Sequence, residues 1–358
     1  MGTGDRVLVT GANGFIGSAV IRALLGAGYE VVGLVEPGAD DRNVAELGVD
    51  SVAGDIRDRS AVDRALTGCG GVFHLAALYR FWARDPSLFY SVNVEGTRTV
   101  LQAAQAAGVG KVVYTGTVGT LGLDRSGSGR PSGETSYPDV GHLFGGYKRS
   151  KYVAEHEVLR AAASGCPVSI VMPTFPLGPG DRRPTPTGRL VVDFLNGRIP
   201  GYVDTVLNPV HVDDVAQGHV LAYERGVDGR SYILGGENVT LEALLGRLAE
   251  VTGLPRAERR VPRSLSLAAA WASEVLEGGL ANRQPSIPLE AARMSTTRMA
   301  FDDARARREL GYVSRPAGQA IEDSARWFVD NGYVKGRRVA RIGWTPAAQL
   351  RAFGTTDS

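Results

Sequence analysis

The chain has 358 residues, 43% of them apolar and 22% charged, a balance that excludes a disordered, collagenous or fibrous protein and predicts one large or two intimately joined globular domains. Forty basic against 38 acidic residues leave a formal charge of +2, which excludes the concentrated charge of a nucleic-acid or anionic-membrane binder and fits a small-molecule substrate. The two cysteines, Cys69 and Cys166, are far apart, neither has a thiol neighbour at metal-ligand spacing, and histidines number five, so a reducing compartment and no metal are expected.

Residues 1–10 lack a charged region followed by a long apolar run and read as a first β-strand, not a signal peptide. The most apolar later stretch, residues 265–276, contains Ser and Glu and falls short of the about 20 residues that cross a bilayer. A cytoplasmic protein with no membrane partner is the expectation. Short β-branched or apolar runs follow at 31–35, 49–53, 72–75, 111–115, 168–172 and 232–234. Between them stand helical patterns at 15–26, 61–66, 96–107, 147–163 and 213–225. Strand and helix in alternation imply a parallel sheet, and runs that are continuously apolar imply cover on both faces. The predicted fold is therefore α/β, a Rossmann-type doubly wound parallel sheet.

After Met172 the sequence turns rich in Pro and Gly (Pro173, Pro176, Pro179, Pro184, Pro186), the mark of loops over a site and a change of domain. Helical pieces at 187–196, 241–252, 264–276 and 289–294 would build a smaller, discontinuous C-terminal substrate lobe. The expected division is residues 1–175 plus 207–236 for the dinucleotide-binding domain, 176–206 plus 237–333 for the substrate lobe, and an appended tail at 334–358.

Gly11-x-x-Gly14-x-x-Gly17 runs from the first strand straight into an amphipathic helix. In that setting Gly11 permits a tight turn, Gly14 lets backbone approach a pyrophosphate, and Gly17 lets helix and sheet pack closely, while the helix N-terminus offers N–H groups to the anion. Glu36, nineteen residues past Gly17 at the end of the second strand, is placed to accept hydrogen bonds from the adenosine ribose and to repel a 2′-phosphate. Asp55, after the third strand, suits the adenine amine, or else the cap of the helix that follows. Tyr79, Phe81 and Trp82 lie past the fourth strand, either as a substrate wall or as packing.

Tyr147 and Lys151 share a helix face at i and i+4. A phenol that titrates near 10 needs an adjacent cation to work as an acid–base group near neutral pH, and Lys151 supplies that charge and three donors. Thr117, just past the fifth strand, would hold a substrate oxygen against Tyr147. His142 stands before the pair as either a surface residue or a substrate contact, and His211 as a packing residue between lobes.

In one order stand the glycine turn, Asp55, Phe73-His74-Leu75-Ala76-Ala77, Asn93-Val94-Glu95-Gly96-Thr97, Thr117, Tyr147-x-x-x-Lys151 and His211-Val-Asp-Asp-Val215. Over residues 5 to 333 this resembles the extended short-chain dehydrogenase/reductase superfamily of NAD-dependent epimerase/dehydratase type. Within it, Tyr79-Arg-Phe-Trp-Ala-Arg-Asp85-Pro86, Pro184-Thr-Pro-Thr-Gly188-Arg189, Asp193-Phe-Leu-Asn-Gly-Arg198 and Tyr232-Ile-Leu-Gly-Gly-Glu-Asn238 are similar to dihydroflavonol-reductase-like enzymes and the bacterial hopanoid-associated sugar epimerase group. The resemblance implies that Thr117 orients a carbonyl, Tyr147 exchanges the proton, and Lys151 binds the nicotinamide ribose and lowers the Tyr pKa. It implies a cofactor site of Gly11, Gly14, Phe15, Ile16, Gly17, Glu36, Asp55, Ile56, Leu75, Ala76, Ala77, Thr115, Tyr147, Lys151, Pro173 and Thr174. Tyr79, Trp82, Thr117 and His142 are the candidate substrate contacts, and the resemblance implies a homodimer through helices 96–107 and 147–163.

Three departures bear on function. Gly116-Thr117 stands where the superfamily usually has Ser-Ser. Glu36 stands where reductase-like members commonly carry an Arg for the NADP phosphate, so NAD(H) is expected over NADP(H), with Arg42 nearby as a rival phosphate contact. Leu207 stands where sugar-nucleotide epimerases place an Arg for the diphosphate. The expected function is therefore an NAD(P)-dependent oxidoreductase moving a hydride between nicotinamide and the carbonyl or alcohol carbon of a small substrate. The alternatives are a sugar or sugar-nucleotide epimerase/dehydratase with recycled NAD, and a dinucleotide-binding regulator without catalysis.

Overall fold

The computed structural model describes residues 5–123, 129–280, 283–295 and 297–344. They contain strands β1 (Arg6–Thr10), β2 (Glu30–Val35), β3 (Asp50–Ala53), β4 (Gly71–His74), β5 (Lys111–Thr115), β6 (Val168–Pro173), β7 (Phe175–Leu177), β8 (Val206–Leu207), β9 (Pro209–His211), β10 (Ser231–Leu234) and β11 (Val239–Thr240). Seven of these form one parallel sheet in the order β10-β6-β5-β4-β1-β2-β3.

Alternate residues of each strand feed two cores. Leu8, Val32, Val72, Val112 and Ile170 pack under helices Arg59–Leu66, Gly96–Ala106 and Gly146–Ala163. Val7, Val31, Phe73, Val113 and Val171 pack under Phe15–Gly26, Val212–Arg225 and Ala304–Leu310. Burial of each such side chain contributes about 1.5–3 kcal/mol, which is why both faces of every central strand are apolar. The chain leaves β1 toward β2 and β3, then returns to place β4 on the other side of β1. That reversal opens a crevice at the carboxyl ends of β1 and β4.

Beyond β6 the chain pairs β7 with β9 in parallel and β8 with β11 in antiparallel. Helices Pro186–Leu195, Leu241–Thr252 and Ala317–Asp330 pack together through Phe194, Leu195, Leu244, Leu248, Ile321 and Phe328. The segment expected as one helix over 264–276 is α-helical over Arg263–Ser273 and then widens to a π-helix over Glu274–Leu280. There the Glu277 carboxylate draws in the hydroxyls of Ser273 and Ser286. The sequence analysis did not find the helices Ala304–Leu310 and Ala317–Asp330. Of the expected tail, Val334 and Ile342 join the core and Trp344 lies under the Arg326 guanidinium at 4.8 Å; residues 345–358 lie outside the described residues. No helix among the described residues is long and apolar enough to cross a membrane.

Candidate active site

The glycine turn closes the gap between β1 and the first helix. Gly11 adopts φ +67°, and a Cβ there would lie 2.8 Å from the Ala76 backbone nitrogen; one on Gly17 would lie 2.1 Å from the Gly11 carbonyl oxygen. Side chains at either place would force β1, β4 and the helix apart. Gly14 caps the helix with no side-chain acceptor, and its first turn holds no acidic residue. Its N–H groups are therefore left for an external anion.

From this turn a cleft of about 320 Å³ runs along the ends of β1, β2 and β4. Gly11, Gly14, Phe15, Glu36, Asp55, Ile56, Leu75, Ala76 and Ala77 line it, all of them expected from the sequence. Ile16, Gly17, Thr115, Tyr147, Lys151, Pro173 and Thr174 do not. Ile16 packs against the core, the Thr115 hydroxyl bonds His219 Nε2 at 2.9 Å, Pro173 pairs with Leu234 at the end of β6, and the Thr174 hydroxyl donates to the Asn208 carbonyl at 2.7 Å.

At the far end Glu36 is exposed. The Asp55 carboxylate is gripped by Arg57, at 2.5 Å to Nη2, which lowers its pKa. Asp58, three residues past Asp55, caps the next helix by accepting from the Ser60 N–H at 2.9 Å. Arg42, the cation offered by the sequence for a phosphate, forks onto Asp40 at 2.9 and 2.6 Å and holds that carboxyl well below its usual range.

The far wall holds residues outside the site expected from the sequence. Arg182, Arg183, Asp181 and Thr185 line the cleft from the Pro-rich segment. Arg182 Nε donates to Asn43 Oδ1 at 2.7 Å, and Asn43 Nδ2 to the Gly180 carbonyl at 2.9 Å. The Pro and Gly content signalled a loop over a site, but not which side chains it would bring.

A buried polar chain joins the crevice to the helix Gly146–Ala163. The Thr10 hydroxyl bonds His74 Nδ1 at 2.8 Å and accepts from the Leu75 and Ala76 N–H groups, while His74 Nε2 meets the Thr97 hydroxyl at 3.0 Å. Asn93 accepts from the Leu78 N–H at 2.7 Å and donates to the Ser150 hydroxyl at 2.9 Å, and Ser150 donates to the Tyr147 carbonyl. The segments around His74 and Asn93 thus have a structural role: they fix the helix Gly146–Ala163 to the switch point.

On that helix Tyr147 and Lys151 are both buried. Burial pushes the Tyr147 phenol well above its ordinary pKa, and the facing Thr117 hydroxyl opposes the shift. Burial lowers Lys151 to about 7, offset by Glu155 one turn further on. Lys151 Nζ donates to the Thr115 carbonyl at 2.7 Å and the Tyr114 hydroxyl at 2.8 Å, which anchors it to the end of β5. Thr117 caps a short turn, accepting from the Gly119 N–H at 3.1 Å. A Cβ on Gly116 would come within 3.1 Å of Ile170 and 3.4 Å of Met172, so a side chain there would press on the bulk of β6.

The Tyr79 ring lies 4.8 Å from that of Tyr147, centroid to centroid, and the Trp82 indole reaches Gly278. His142 ends a short turn, Val140–His142, and its side chain lies outside the described residues. His211, 2% exposed, accepts from the Asp213 N–H and faces Asp323 at 3.4 Å. No group of three metal-ligating side chains occurs among the described residues.

The NAD dependent epimerase/dehydratase family pattern matches residues 7–235, from β1 through β10. The chain belongs to this family. Among relatives of this family member, a Synechocystis protein provisionally named a dihydroflavonol 4-reductase is 42% identical over 335 residues, which cover 92% of this chain and 96% of that one. The sterol demethylase protein B of Methylococcus capsulatus is 34% identical over 91% of this chain and 99% of its own. Among solved structures, the Thermus thermophilus UDP-glucose 4-epimerase in complex with NAD is similar at a TM-score of 0.71 and 25% identity, over 92% of this chain and all of that one. The chain is an NAD(P)-dependent oxidoreductase of the epimerase/dehydratase type.

Proposed function

We propose that this family member reduces the carbonyl group of a small organic substrate, with Tyr147 as proton donor, and that it uses NAD(H) in preference to NADP(H). The observation that carries this reading is Tyr147 itself: a buried phenol held protonated by its surroundings, faced by the Thr117 hydroxyl at the carboxyl end of β5. A group that keeps its proton at neutral pH is poised to give it to a carbonyl oxygen as negative charge develops there.

The residues present fit a dinucleotide. Gly11, Gly14 and the uncapped helix they open would hold its pyrophosphate, Glu36 its adenosine ribose, and Lys151 its nicotinamide ribose. When bound, the reduced nicotinamide supplies the hydride. Thr117 orients the substrate oxygen by a hydrogen bond, Tyr147 protonates it, and Lys151, fixed by Thr115 and Tyr114, favours the phenolate left behind. Glu36 supports NAD(H) because a 2′-phosphate would add negative charge beside its carboxylate, and Arg42 is already paired with Asp40. Leu207 supports reduction over sugar-nucleotide epimerisation. It is buried on β8, paired with Val239 of β11, with no charge to offer a diphosphate.

The test is nicotinamide oxidation across a panel of ketones and aldehydes. Steady, substrate-dependent consumption of NADH is expected; a protein that retains NAD through purification and interconverts a sugar with no net consumption would overturn the reading.

A further inference from the structure

We propose that the Glu290 carboxyl is a specificity-determining group that receives a hydroxyl carried by the substrate apart from its reacting carbonyl, in a second cavity beside Tyr147. Lys148, the residue after Tyr147, and Gly119, two residues past Thr117, line that cavity and set it next to the reacting groups. This rests on the carbonyl-reductase reading and names the class of substrate for it.

Glu290 comes from the helix Leu289–Ser295 and descends onto the first turn of Gly146–Ala163. Gly145 makes the approach possible. It adopts φ +82°, and a Cβ there would lie 1.7 Å from Glu290 Oε2. Glu290 is 7% exposed, and neither carboxyl oxygen makes a well-formed hydrogen bond, although the Lys148 ammonium and backbone N–H lie near it. Other buried carboxylates among the described residues each have a partner: Asp214 pairs with Arg315 at 2.8 Å, Asp181 accepts from the Thr185 N–H and hydroxyl, and Asp303 accepts from Arg307 through Oδ1, its Oδ2 alone being left over. A buried carboxyl without well-formed hydrogen bonds is costly to the fold and marks a place where a ligand can supply them.

The Glu290 carboxyl sits against Gly145, two residues before Tyr147, and its charge raises the phenols of both Tyr147 and Tyr79, so the carboxyl shares the reacting oxygen's surroundings. It also lines a cavity of about 400 Å³ whose apolar walls include Leu121, Leu143, Phe144 and Met294, a size suited to the body of a small molecule. Lys148 and Arg293 stand on the same walls, and their charge disfavours a cationic donor such as an amine. Burial moves the carboxyl up to about 7, against the pull of the Lys148 ammonium and backbone N–H. In its neutral form the group both accepts and donates, as a hydroxyl requires. The class that fits is a hydroxylated ketone or aldehyde with an apolar body.

The experiment compares pairs of ketones that differ by one hydroxyl group, in the wild type, Glu290→Gln and Glu290→Leu. The wild type should favour the hydroxylated member in kcat/KM by roughly tenfold or more. Glu290→Gln should keep part of the preference, and Glu290→Leu should bring the ratio close to one, chiefly through KM. Dinucleotide affinity reports that each variant is folded, and Glu290→Gln serves if the leucine variant is not. A carboxyl with a merely structural part would lower Tm and leave the ratio untouched. A ratio near one in the wild type, or one that survives in Glu290→Leu, overturns the proposal. If no ketone of either kind is reduced, the reductase reading fails, and calorimetry on the dinucleotide-loaded protein decides Glu290 separately. Binding of the hydroxylated compound that Glu290→Leu weakens by roughly tenfold supports it; absent or equal binding overturns it.

Discussion

Burial disfavours charge on both members of the Tyr147–Lys151 pair, raising the phenol and lowering the ammonium to about 7. The pair is legible in the sequence because i and i+4 on a helix is a local relation, and Thr117 because it ends a recognisable strand. Glu290 is not. It is brought to Gly145 by the folding of the second lobe, and no spacing rule relates residues so far apart in the chain. Glu36 stands between these cases: its position at the end of β2 follows from the strand pattern, but whether a cation neutralises it depends on packing, and here Arg42 turns to Asp40 instead. The wild type should therefore use NADH with higher kcat/KM than NADPH. An exposed charge pair is worth about 1 kcal/mol in water, so the preference is several-fold. Glu36→Arg should shift it toward NADPH. Equal or better use of NADPH by the wild type would mean that another cation, such as Arg57, whose charge reaches Glu36, or Arg183 on the cleft wall, reads the phosphate.

The elements divide by how local their signals are. Continuous apolar runs identified all seven sheet strands, and the small-residue helices around them followed from helical spacing. Ala304–Leu310 has four arginine or glutamate residues in seven, too few apolar positions to show a repeat. Ala317–Asp330 does carry one at Ala317, Ala320, Ile321, Ala325 and Phe328, behind a Pro at its N-cap, so its signal was present and went unread. The β7–β9 and β8–β11 pairs are two or three residues long and exist through tertiary contact alone.

The stitch from β1 through His74 to the Gly96–Ala106 helix has a measurable signature. Burial lowers His74 to about 3 and His219 to about 4, against 6.5 in the unfolded chain. The unfolded state takes up protons at these rings that the folded state refuses, so stability present above about pH 6.5 is lost as pH falls toward 4. Thermal melts should give a Tm that declines over that window. His74→Gln should start lower and decline less steeply; parallel curves for the two proteins would contradict the account.

At the scale of the molecule, the doubly wound sheet places the cleft at the reversal between β1 and β4, the Pro-rich segment supplies its far wall, and Glu290 lines the second cavity. The fold is shared by reductases and epimerases, so it does not choose between them. Side chains facing the substrate do. With Leu207 buried where a diphosphate would need a cation, a UDP-hexose should bind weakly in a calorimetric titration; micromolar binding would restore the epimerase reading and assign the diphosphate to Arg182, Arg183 or Arg189.

The most direct test of the central claim is the kinetics of Tyr147→Phe, measured beside its dinucleotide affinity. Loss of the proton donor alone should cut kcat by about 10²–10⁴ while the dinucleotide binds as before. Retention of more than half of the wild-type turnover would contradict Tyr147 as the acid.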